Sequence, residues 1–106
     1  MNELCREIVA DELERVDDDR LDLVTITHVN VDPDLRRAVV EFSRLGRDEE
    51  VAGVALAEHR VRLQAAIARQ ARLRRTPELS FRPDEVIRAG ARIEQLLREH
   101  RQPRDG

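Results

Sequence analysis

Seven arginines, Arg60, Arg62, Arg69, Arg72, Arg74, Arg75 and Arg82, are the side chains whose type and spacing could do chemistry. That chemistry is the binding of phosphate. A guanidinium is always charged, and its planar fork of N–H donors matches two phosphate oxygens at once. Six of the seven fall between His59 and Pro77, a stretch with no Asp or Glu. Arg62 and Arg69 are seven residues apart and would share one helix face. Arg72 lies close to that face, Arg74 and Arg75 carry it into a turn, and Arg82 follows on the next segment. A basic helix face that simply meets water has the same pattern. Cations near a helix C-terminus also gain ~0.3–1 kcal/mol from the helix dipole. That gain accounts for one or two arginines and not for the whole run.

No other constellation competes. His28, His59 and His100 are far apart in sequence and have no cysteine beside them, so no metal site is expected. There is no Ser/His/Asp order, phosphate loop or dinucleotide fingerprint. We therefore expect no catalytic residue, no cofactor and no small-molecule substrate. The only aromatic residues are Phe42 and Phe81, so no set of exposed rings exists to stack on bases.

The formal net charge of −3 conceals an asymmetry. Residues 1–50 carry 7 Arg against 15 Asp and Glu, whereas residues 51–106 carry 12 Arg against 7. A field divided in this way can attract a polyanion locally although the whole chain is acidic. The 106 residues suit one domain with one core, and the 41% hydrophobic content suits a globular chain. The single cysteine, Cys5, cannot form an internal disulfide. No apolar run approaches the ~20 residues needed to cross a bilayer, and the N-terminus lacks a signal-peptide pattern. A cytoplasmic protein with no membrane partner is expected, and a monomer.

The elements that must position the arginines follow from periodicity. From Glu3 to Val16, Leu4, Cys5, Ile8, Val9, Leu13 and Val16 recur at spacings of 3 and 4, an amphipathic helix with Cys5 in its apolar stripe. Asp17-Asp18-Asp19 reads as an exposed connection. Leu23 to Val31 is rich in β-branched residues and reads as a strand. Its apolar phase changes from Val24 and Ile26 to Val29 and Val31, which predicts a β-bulge near Thr27-His28. Asp32-Pro33-Asp34 is turn chemistry, and Ala38, Val40 and Phe42 mark one face of a second, antiparallel strand. Gly46 to Glu50 reads as a polar loop. Val51 to about Leu73 predicts one long helix with Leu56, Leu63 and Ile67 on its core face, while Ala65, Ala66 and Ala68 permit close approach. Thr76-Pro77 should stop it, since a residue before proline avoids the α region. Leu79 and Phe81 mark a third strand, and Asp84 is an N-cap for a last helix with Val86, Gly90, Ile93 and Leu97 as its stripe, joined by Ile87 and Leu96. Residues 100–106 should be a frayed tail. The expected architecture is α+β, with helices on one face of a three-stranded sheet.

Two segments resemble the bacterial ribosome-binding factor A family. LVTITHVNVDPDLRRAVVEFS (23–43) is similar to that family's first hairpin through Val31, Asp34-Leu35 and Ala38-x-Val40. RLRRTPELSFRPD (72–84) resembles its Leu-Arg-x-x-Pro-x-Leu-x-Phe signature, followed by Gly90-Ala91-Arg92-Ile93 and Leu96-Leu97. The likeness runs from about Glu3 to Leu97. It implies a type II KH-like domain without the Gly-x-x-Gly loop of ordinary KH domains. It also implies an assembly factor that binds the immature small ribosomal subunit and its 16S ribosomal RNA, supports late maturation, notably in the cold, and has no catalytic activity. The family usually carries an Ala-x-Gly interruption between its central helices. Here His59-Arg60-Val61 occupies that place without a glycine, so the long helix is either kinked by other means or straighter. The rival expectation is a protein-interaction module whose acidic half meets a basic partner. A general single-strand RNA binder is opposed by the lack of exposed rings.

Overall fold

The computed structural model describes residues 1–45 and 48–101. In chain order the elements are α1 (Asn2–Glu14), a 3₁₀ turn (Asp19–Leu21), β1 (Val24–Val31), β2 (Arg37–Arg44), α2 (Glu49–Glu58), α3 (Arg60–Gln70), β3 (Glu78–Pro83) and α4 (Glu85–Arg101). The sheet order is β1-β2-β3, with β1 antiparallel and β3 parallel to β2. A parallel neighbour requires a crossover, and α2 and α3 supply it. The α+β, KH-like arrangement expected from the sequence is the one observed.

The strand faces follow from alternation. Ala38, Val40 and Phe42 of β2 are buried beneath the helices, and Ile26, Val29 and Leu79 join them from the flanking strands. The register of β1 against β2 slips between Ile26 and His28, so the expected bulge is present. The bulge serves an anchor. Thr27 turns its hydroxyl to within 2.6 Å of Asp84 Oδ2, and Asp84 Oδ1 accepts from the Val86 and Ile87 N–H groups at 2.9 and 3.2 Å. Asp84 is therefore the N-cap of α4 and also its tie to the sheet. Thr27 and the two N–H groups hold the Asp84 carboxyl below the usual range, although burial opposes them.

The core is aliphatic around one ring. Phe42, Leu56, Leu63, Ile67, Leu79, Val9, Val40 and Cys5 are fully buried, each large side chain contributing about 1.5–3 kcal/mol. α1 packs on β1 and α3. α2 crosses so near Phe42 that a Cβ at Gly53 would meet the ring at 3.5 Å.

Five expectations are corrected. The long helix is two helices, starting at Glu49 and interrupted at His59. At the interruption the His59 ring lies 3.0 Å from Asp18 Oδ2, and Asp18 also holds Arg20, which reaches Glu58. Asp17-Asp18-Asp19 is thus no plain exposed connection, because Asp18 caps the 3₁₀ turn and braces the bend. The second helix stops at Gln70, well before Thr76-Pro77, because Arg72 adopts a left-handed backbone (φ 52°) one residue beyond the C-cap Ala71. Of the three small residues, Ala66 is buried, whereas Ala65 and Ala68 face water.

The last helix is the fifth correction. Its stripe does not reach the core, and Val86, Ile87, Ile93, Leu96 and Leu97 are 49–81% exposed. α4 is fixed at its start, by the Asp84 cap and by Arg88, whose guanidinium lies 2.9 Å from Glu49. It continues to Arg101, and the rest of the expected tail lies outside the described residues, as do Gly46 and Arg47 of the expected loop.

The parallel pairing sets the geometry of one end of the sheet. Arg37 stands opposite Glu78, and the Glu78 N–H donates to the Arg36 carbonyl at 2.9 Å. The turn before β2 is ordered by its own polar groups. Leu35 N–H donates to the Asp32 carbonyl at 2.9 Å, and Asp34 Oδ1 accepts from Arg36 N–H at 3.0 Å.

Candidate nucleic-acid interface

The seven arginines fall into three settings. Arg62 and Arg69 lie on α3 facing α1, and both address Glu12. Arg62 Nε donates to Glu12 Oε2 at 2.7 Å and its Nη2 to the Arg15 carbonyl at 3.2 Å, while Arg69 Nη2 stands 3.7 Å from Glu12 Oε1. Glu12 is 5% exposed. The Arg62 hydrogen bond, helped by the charges of Arg62, Arg15 and Arg69, outweighs burial and holds its carboxyl below the usual range. These two arginines are thus partly committed to binding α1 to α3. Sequence reading passed over Glu12, yet a signal was there. It follows Ile8 by four residues and Val9 by three, so an acid sits on the buried stripe of α1.

Arg82 belongs to the second setting. It projects from β3 on the sheet surface away from α1, α2 and α3 and donates from Nε to Glu41 Oε2 of β2 at 3.2 Å. Its expected union with the helix arginines does not occur.

The third setting is the turn between α3 and β3. Arg72, Arg74 and Arg75 are exposed there and, like Arg60 at the start of α3, make no side-chain hydrogen bond or ion pair among the described residues. Pro77, behind them, is fully buried and fixes the turn to the core. The left-handed conformation of Arg72 costs a non-glycine residue about 1 kcal/mol. Glycine would adopt it freely, yet a guanidinium stands at this corner.

The model of the family described as ribosome-binding factor A matches residues 1–97. The chain belongs to the ribosome-binding factor A family. A ribosome-binding factor A of Rubrobacter xylanophilus is 46% identical over 96 residues, which cover 89% of this chain and 79% of that protein. One from Acidothermus cellulolyticus is 46% identical over 93 residues, 85% of this chain and 62% of that protein. The crystal structure of ribosome-binding factor A from Thermus thermophilus superposes with a TM-score of 0.73 at 35% identity, covering 77% of this chain and 90% of that one. A homology model of the Thermus thermophilus ribosome-binding factor A, fitted into a cryo-EM map of its 30S complex, gives a TM-score of 0.66 at 36% identity over 76% and 88% of the chains. In this ribosome-binding factor A chain the contact of His59 with Asp18 lies at the break between α2 and α3.

Proposed function

We propose that this chain is a non-catalytic assembly factor that binds the immature small ribosomal subunit, against its 16S ribosomal RNA, and supports late maturation of that subunit. It acts in the cytoplasm as a single-domain monomer, with neither cofactor nor metal. The observation that carries this reading is the exposed, unpaired group Arg72, Arg74 and Arg75 on a turn held rigidly by buried Pro77. A relative with the same fold has been fitted into a 30S complex, and an arginine corner without aromatic rings suits the phosphate backbone of a folded RNA better than single-stranded bases. Arg60 adds charge near the bend. Arg62 and Arg69 can take part through the N–H groups that Glu12 does not use, and Arg82 through the opposite surface of the sheet.

Co-sedimentation with purified small subunits tests the reading, with the wild type compared to the triple variant R72E/R74E/R75E. Loss of the variant from the subunit fraction supports it. Undiminished co-sedimentation would favour the interaction module, in which the acidic first half makes the contact.

A further inference from the structure

We infer that the turn before β2 forms a second part of the same contact, so that Arg36 and Arg37 join Arg72, Arg74 and Arg75 in one rim that follows a nucleic-acid phosphate backbone. This rests on the RNA-facing reading above and extends it to two residues in the acidic half of the chain.

Because β2 and β3 run parallel, both strands begin at the same end of the sheet. A Leu-Arg-Arg triplet stands at the start of each strand, Leu35-Arg36-Arg37 running into β2 and Leu73-Arg74-Arg75 two residues before β3. The pairing of Arg37 with Glu78 and the bond from Glu78 N–H to the Arg36 carbonyl join the β2 turn to the start of β3, where the arginine turn ends. Adjacent strands lie ~4.8 Å apart, and Arg74 and Arg75 stand only four and three residues before Glu78, the partner of Arg37.

Both turns have a defined shape. Each includes a non-glycine residue in the left-handed region, Leu35 at φ 63° and Arg72 at φ 52°. Arg37 makes no side-chain hydrogen bond or ion pair among the described residues. Arg36 approaches Asp34 at 3.7 Å, but both side chains are mostly exposed, and an ion pair of that kind contributes little and yields to a phosphate. Asp32 and Asp34 flank the β2 turn and Glu78 stands opposite Arg37, three carboxylates against the five arginines of the rim. Composition conceals the rim, because Arg36 and Arg37 fall in the segment with 15 acids. The ligand chemistry is a row of phosphodiesters, since guanidinium pairs match their oxygens and no ring is present to read a base.

The experiment measures binding of the full chain to purified small subunits across 50–200 mM salt, for wild type, R36Q/R37Q and R74Q/R75Q. Each double variant is expected to weaken binding by roughly tenfold or more and to flatten the log–log salt slope by about two, one for each phosphate no longer neutralised. If R74Q/R75Q does both while R36Q/R37Q leaves affinity and slope at wild-type values, the second turn is not part of the contact and the function proposed above still stands. If neither variant changes binding, that function falls as well. Weaker binding of R36Q/R37Q with an unchanged slope would mean a protein contact in place of a phosphate, and would also overturn the inference. Unchanged melting temperatures confirm folded variants, and R36Q alone, with half the slope change, replaces the double variant should R37Q unfold.

Discussion

The guanidinium of Arg62 reaches across from α3 to Glu12 of α1, 2.7 Å from Nε to Oε2, and so joins two helices whose residues are 50 apart in sequence. The carboxylate sits on the buried stripe of α1, where an acid survives only if its charge is answered. One of the arginines read as an RNA ligand therefore also has a structural task.

Acid should expose that task. Glu12, Asp18 and Asp84 all have carboxyls held below their usual range, Glu12 chiefly by Arg62, Asp18 by Arg20 and then His59, and Asp84 by Thr27. The folded chain then binds fewer protons than the unfolded one once the ordinary values, 4.5 for Glu and 3.8 for Asp, are approached from above. Stability should be level above about pH 5 and fall steadily below it. R62A should melt at a lower temperature at pH 7 and show a shallower acid limb. An acid limb as steep as that of the wild type would show that the Glu12 contact contributes nothing.

Arg72 separates stability from function. Glycine at this left-handed position should raise the unfolding free energy by up to about 1 kcal/mol, while removal of the guanidinium weakens binding to small subunits. Urea unfolding of R72G, paired with its co-sedimentation, reads both effects. A variant that is less stable than the wild type would contradict the conformational argument.

The salt dependence of the wild type follows from the number of phosphates engaged. With about five neutralised, binding at 200 mM salt should be on the order of 100-fold weaker than at 50 mM. Affinity that hardly changes over this range would rule out the arginine corner as the main contact.

Asp84 should matter far more than its surface neighbours. D84A removes the acceptor for Val86 and Ile87 and the partner of Thr27. Loss of a cap costs ~1 kcal/mol and loss of a buried hydrogen bond about as much again, so roughly 2 kcal/mol is expected by chemical denaturation. D84N keeps the capping oxygen and should retain about half of that.

What could be read from the sequence was local. The bulge at Thr27-His28 was visible because alternation changes face over a few residues, and Asp84 because N-cap chemistry needs only its own helix. Cys5 lay in an apolar stripe and is indeed buried. What escaped depended on partners distant in sequence. The resemblance left a kink at His59 as one of two alternatives, and the residues around it could not decide, because its brace, Asp18, lies 41 residues earlier. Arginine has no preference for left-handed backbone, so the end of α3 at Arg72 left no mark and Pro77 drew the attention. The periodicity of α4 established an apolar stripe but not whether anything covers it. The charge run found the arginine corner, yet it could not show that Glu12 takes a share of Arg62 and Arg69.

The bend at His59 has a mechanical consequence. α3 spans 11 residues from there to Gln70, about 16 Å at 1.5 Å per residue, and the arginine corner hangs from its far end. Tilting such a rod by about ten degrees at the bend would carry the corner about 3 Å sideways, more than a hydrogen bond tolerates. An imidazole held by a carboxylate in the loop after α1 thus steadies the near end of this rod, while Glu12 through Arg62 and buried Pro77 steady its length and its tip, and together they set the aim of the guanidinium groups.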